Sequence, residues 1–202
     1  MYIGHEGDEL KYALLFFMLA PALAFADGRD FQGFLGGGLT FGQDSLSLGA
    51  DTATSKYTDQ GYLIEGGLTA PLTPMFGMQV SAEVGTSNST NTLASTSYME
   101  TGSLSYYSAK AGFYYSSFGI GGGYRHNDVE IKSLSNPGSY LQSDYSGWTS
   151  LGYANLTLDV RKRYRGVIEG QYITGTLKSN GTAGDAKFGE MSISLRFYVM
   201  FD

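Results

Sequence analysis

Few side chains in this sequence are equipped for chemistry. It contains no cysteine, which removes thiol nucleophiles, thiolate metal centres and disulfides together. Of the two histidines, His5 lies near the start and His126 opens the run His126-Asn127-Asp128. No catalytic residue is assigned, and no enzymatic activity is expected. The glycine-rich stretch GIGGGYR at 119–125 is not a phosphate cradle, because a cradle requires a strand passing into a helix N-terminus. These glycines alternate inside a period-two segment, which predicts that they make room for Tyr106 and Tyr114 of the neighbouring segment. Loop aspartates such as Asp51 and Asp59 offer oxygen ligands for weak calcium binding, but nothing in their spacing matches a calcium loop. No metal and no cofactor are therefore expected.

What remains is a set of charges. Glu65, Glu83, Lys110, Arg125, Glu169 and Arg196 each fall on the polar face of a different alternating segment, about five to eight residues from one end of it. Three acids and three bases at one level would form a neutral, interlocked set. Buried charges are tolerated in that arrangement and are very costly alone.

The elements that must carry these charges are strands. Apolar residues recur with period two in segments of about ten residues, and no stretch has helical periodicity. Leu35, Leu39 and Phe41 share one face of the first segment. Tyr62, Ile64, Leu68 and Ala70 oppose Glu65 and Thr69 in the second. Phe76, Met78, Val80, Ala82 and Val84 oppose Gln79, Ser81 and Glu83 in the third. The pattern continues through Tyr107–Tyr115, Phe118–Arg125, Tyr153–Val160 and Ile168–Tyr172. It is cleanest at the end, where Met191, Ile193, Leu195, Phe197, Val199 and Phe201 alternate with Ser192, Ser194, Arg196, Tyr198 and Met200. Long polar connections at 42–58, 86–96, 126–146 and 176–186 alternate with short ones at Pro71–Pro74, Ser116-Ser117 and Arg161–Arg163. Eight segments, four long loops and three short turns predict an all-β, eight-stranded antiparallel up-and-down transmembrane barrel, with the short turns periplasmic and the long loops extracellular. Tyr62, Phe76, Tyr115, Phe118, Tyr164, Phe197 and Phe201, near segment ends, are the expected aromatic girdles. Eight strands enclose a space just wide enough for side chains to fill, so the six charges predict a plugged lumen.

Processing and composition agree with this plan. Tyr12 to Ala26 reads YALLFFMLAPALAFA behind Lys11 and ends in Ala24-Phe25-Ala26, the pattern of a secretory signal peptide cleaved after Ala26. Residues 1–26 are the expected signal peptide and 27–202 the barrel. His5, Glu6, Asp8 and Glu9 place acid where a signal peptide carries positive charge, so residues 1–9 read as a misplaced start, with translation beginning at Leu10. The intact mass of the unprocessed precursor checks this, and a precursor beginning at Met1 contradicts it. A net charge of -6 and a pI near 4.8 exclude nucleic acid as a partner, since phosphate binding needs clustered Lys and Arg.

With the signal peptide, eight alternating segments, four polar loops, lumenal charges and terminal strand SISLRFYVMF, the chain resembles the OmpA/OmpX/opacity-type eight-stranded outer-membrane barrels of Gram-negative bacteria. The resemblance implies a bacterial outer-membrane location and contact with outer-membrane lipids and lipopolysaccharide. It also implies insertion by the barrel assembly machinery and a monomeric state. That machinery reads a last strand with a terminal aromatic, and this chain adds Asp202 after Phe201. The expected role is structural, in envelope integrity, with surface recognition through the four loops and a loop partner not specified by the sequence. Three other readings fit less of the pattern. One is a narrow, small-solute, porin-like channel, and another is a soluble secreted lipocalin-like barrel with the apolar faces turned inward around a ligand. The third is a lipid A-modifying enzyme using His126, but the deacylase pattern needs a serine where Asp128 stands.

Overall fold

A computed structural model describes residues 31–48, 54–92, 99–134, 140–161, 163–181 and 184–201. The expected signal peptide lies outside them. The described residues form eight strands in chain order, β1 (Gln32–Leu48), β2 (Thr54–Pro71), β3 (Phe76–Thr92), β4 (Met99–Tyr115), β5 (Phe118–Leu134), β6 (Tyr140–Arg161), β7 (Tyr164–Ser179) and β8 (Ala186–Phe201). Each pairs antiparallel with its sequence neighbours, and β8 returns to β1 from Gly33↔Phe201 to Leu48↔Ala186, so the sheet closes into a barrel. Closure leaves no open edge.

The short connections follow from local chemistry. Pro71 and Pro74 flank the β2–β3 turn, where Leu72 and Thr73 donate their N–H groups to the Phe76 carbonyl at 2.9 and 2.8 Å. The Thr73 hydroxyl oxygen accepts from the Phe76 N–H at 3.0 Å. The β4–β5 turn is Ser116-Ser117, with Ser116 in the left-handed region at φ 54°. The β6–β7 turn carries a register shift between Asp159 and Arg161.

The strands are longer than the sequence pattern suggests, at 16 to 22 residues. Six of them, β1, β2, β3, β5, β6 and β7, extend into stretches expected to be loop. The reason is a reversal of polarity partway along the barrel. In the half nearer the short turns, most apolar residues point outward and polar ones inward: Leu35, Ile64 and Ile193 are 55, 57 and 58% exposed, while Glu65 is fully buried and a small cluster of Phe34, Val167, Tyr198 and Met200 packs inward. Beyond Phe41, Tyr62 and Met191 the alternation continues with the opposite sense. Gln43, Gln60 and Lys187 point outward there, while Leu46, Tyr57, Leu104, Tyr145, Ile173, Leu177 and Phe188 point inward and pack as one core. Counted as hydrophobicity alone, these upper segments look like loops. As a ladder they are strands standing above the apolar belt. In the lower half the apolar faces point outward, which contradicts the lipocalin-like arrangement there.

The glycines of β5 serve a neighbour other than the one expected. A Cβ on Gly121 would lie 2.6 Å from the Tyr153 ring, and one on Gly119 would lie 3.1 Å from Asn155 Cγ. Tyr106 and Tyr114 instead lie over Gly85 and Gly77 of β3. Inward side chains of a tilted barrel lean to one side of their strand, and here β4 leans toward β3 and β6 toward β5. Gly121→Ala, whose new methyl would also meet the Ala111 carbonyl oxygen, is expected to cost about 1–3 kcal/mol by overpacking. Urea unfolding of micelle-refolded protein measures this.

Candidate functional site: two charged layers in the lumen

Five of the six expected lumenal charges converge at one level of the barrel. Lys110 on β4 places Nζ 2.8 Å from Glu65 Oε1 (β2), 2.9 Å from Glu83 Oε2 (β3) and 3.0 Å from Glu169 Oε1 (β7). From β8, Arg196 meets the same three carboxylates: Glu83 at 2.7 Å, Glu169 at 2.7 Å, and Glu65. Neutral donors complete the set. Ser81 donates to Glu65 at 2.6 Å, Gln171 to Glu169 at 2.8 Å, and the Tyr198 hydroxyl to Glu65. All five charged side chains are buried. Alternation puts these residues inward, but four of the six charge contacts, Lys110 to Glu65 and Glu169 and Arg196 to Glu65 and Glu83, run across the lumen between strands that are not neighbours. Three carboxylates face two cations, so the layer carries one more negative charge than positive.

Arg125 stands apart from this set. Its guanidinium pairs with Glu190 through Nη1–Oε1 at 3.1 Å and Nη2–Oε2 at 3.0 Å and lies 3.4 Å above the Tyr106 ring. The expected neutral set of six is thus two layers, and Arg125 belongs to the upper one. Asp44 and Asp59 join Glu190 there, with candidate oxygens all within 4.8 Å of one another. All three are buried. Sequence reading missed Asp44 and Glu190 and placed Asp59 in a loop. The signal that finds them is the alternation continued past the polarity reversal, since Asp44 and Leu46 alternate with Gln43 and Ser45.

This upper layer sits just beyond the last outward apolar residues of β1, β2 and β8, outside the membrane-facing belt. Burial, then the Glu190 and Asp59 charges, push the Asp44 carboxyl up to about 9. Burial and Glu190 push Asp59 up to about 6. Both are raised above the unfolded value of 3.8, so above pH 4 the folded state holds more protons than the unfolded one. Stability then falls as pH rises from about 4 to about 9. Denaturant midpoints of chelator-treated protein measured across that range are expected to decline, and Asp44→Asn is expected to flatten the decline above pH 6.

The expected girdle residues all point outward. Phe76, Tyr115, Phe118, Tyr164, Phe197 and Phe201 lie toward the short-turn end, where Tyr164 stacks on Phe197 at 5.7 Å and Phe76 on Phe113 at 5.7 Å. Tyr62 lies at the opposite margin with Tyr107, Tyr124, Trp148 and Tyr172, all exposed. His126 belongs to this outer ring. It stacks on Tyr107 at 5.0 Å and meets the edge of Trp148 at 5.2 Å, with its Nδ1 3.6 Å from Asp128.

No family model and no curated protein matches the sequence. Solved structures do match it. Neisserial surface protein A superimposes with a TM-score of 0.53 at 14% identity, over 84% of this chain and 97% of that one. Ail, the attachment invasion locus protein of Yersinia pestis, gives 0.46 at 13% identity, over 82% and 98%. The outer membrane protein AlkL gives 0.47 at 11% identity, over 86% and 90%. A closed eight-stranded ladder, an outward apolar belt edged by aromatics and the likeness to the Neisserial protein agree: the chain has the fold of the eight-stranded outer-membrane β-barrels.

Proposed function

We propose that the protein is a closed, non-enzymatic barrel of the bacterial outer membrane that supports envelope integrity and offers its outer end as a recognition surface. The observation that carries this reading is the filled interior. The five-membered charge layer spans the lumen from β2 to β8, the acidic layer lies above it, and the core of Leu46, Tyr57, Leu104, Tyr145, Ile173 and Phe188 lies above that. A small-solute channel would need a continuous polar path through all three. The enzymatic reading lacks support as well, since His126 is stacked among rings at the outer margin of the belt.

The upper strands project beyond the belt as a rigid rim, and side chains held on such a scaffold vary freely while keeping their positions. Lipid and lipopolysaccharide contact the belt, the barrel assembly machinery inserts the chain, and the protein acts as a monomer. Deleting the gene is expected to sensitise cells to detergents and bulky antibiotics. A copy lacking residues 49–53 and 93–98 is expected to restore resistance but lose surface adhesion. Unchanged sensitivity and unchanged adhesion in the deletion strain would overturn the proposal.

A further inference from the structure

The upper acidic layer has more negative charge than the protein neutralises. Among the described residues, Asp44, Asp59 and Glu190 face one cation, Arg125, and that cation is engaged with Glu190. Asp44 Oδ1 and Asp59 Oδ1 are buried and accept no hydrogen bond. Buried carboxylate oxygens without a donor are costly, so they must either hold a proton or face a cation.

A second feature points the same way from a different strand. Ser87 on β3 is 1% exposed and turns its hydroxyl toward the Asp59 carboxyl, yet its Oγ completes no hydrogen bond. Gly42, opposite Asp59 in the β1–β2 ladder, keeps the space before that oxygen open. A Cβ at Gly42 would stand 2.5 Å from Asp59 Oδ1.

We propose that Asp44, Asp59 and Glu190, with the Ser87 hydroxyl, form a binding site for one calcium ion at the outer margin of the barrel. The donors are all oxygen, which selects a hard cation over a transition metal. Ionised, the three acids and Arg125 leave two negative charges, the balance for a divalent ion. Oxygens all within 4.8 Å of one another can share an ion held at about 2.3–2.6 Å, and the flexible shell of calcium accepts such an irregular set more readily than the near-ideal octahedron magnesium demands. The ion would tie β1, β2, β3 and β8 together across the seam where the first and last strands close the barrel.

The test uses full-length mature protein refolded in detergent micelles free of lipopolysaccharide, after treatment with a chelator. Titration with calcium chloride is followed by calorimetry and by the thermal unfolding midpoint. Saturable binding near one ion per barrel is expected, with a midpoint raised by several degrees and affinity about tenfold or more above that for magnesium. Asp59→Asn and Asp44→Asn should each abolish the shift while leaving a folded barrel by gel mobility. Asp128→Asn, an outward-facing acid, should retain it. Absence of calcium binding by the wild type overturns the proposal, as does a calcium shift of equal size in the wild type and both lumenal variants. If either lumenal variant fails to fold, Ser87→Ala replaces it, with weakened calcium binding expected and unchanged binding overturning the assignment.

Discussion

Lys110→Met is expected to lower the unfolding free energy by about 3–5 kcal/mol, or to prevent refolding altogether. Lys110 Nζ lies within 3.0 Å of three carboxylates, so its loss leaves Glu65, Glu83 and Glu169 facing Arg196 alone. Removing one partner of a buried ion pair is destabilising on that scale because the remaining charge stays buried without compensation. Glu83→Gln should behave differently. It leaves two acids against two bases, and an amide of nearly the same shape occupies the site. Its expected cost is about 1 kcal/mol, comparable to one net hydrogen bond. Trp148, the single tryptophan, lies at the outer rim and reports unfolding of both variants in urea. Equal costs for the two substitutions would contradict the charge count.

Leu195→Arg is expected to cost about 2–4 kcal/mol in lipid vesicles, the penalty for a cation on the lipid face near the middle of the bilayer. Leu195 is 52% exposed and sits midway between Met191 and Phe201, the limits of the apolar face of β8. Thr58→Arg makes the same change on the outer side of β2, beyond Tyr62. Its expected effect is within about 0.5 kcal/mol, as for an ordinary surface site. Together the two variants place the belt margin between the level of Leu195 and that of Thr58. A penalty at Thr58 matching that at Leu195 would place the bilayer over the upper strands instead.

Much of the barrel was legible in sequence because period-two alternation is a local signal. The strand count, the facing of Glu65, Glu83, Lys110, Glu169 and Arg196, and the Ser116-Ser117 turn all follow from it. Strand length did not, because the polarity of the alternation reverses near Asp44, Asp59 and Glu190, and a polar outward face reads as loop when summed over both faces. Arg125 was assigned to the wrong partners for a different reason. Its partner Glu190 lies 65 residues away across the lumen, and alternation specifies which way a side chain points but not what it meets there. The same limit hid the tyrosine that covers the β5 glycines, Tyr153 on the following strand.

The proposal that the lumen is closed is tested most directly by ion conductance of the folded wild-type protein in planar lipid bilayers. A barrel filled by the Lys110–Arg196 layer and the apolar core above it should insert, as judged by protease resistance of the strands, without producing stable conductance steps. Large, long-lived steps of uniform size from the same preparation would show an open pore and contradict the proposed role.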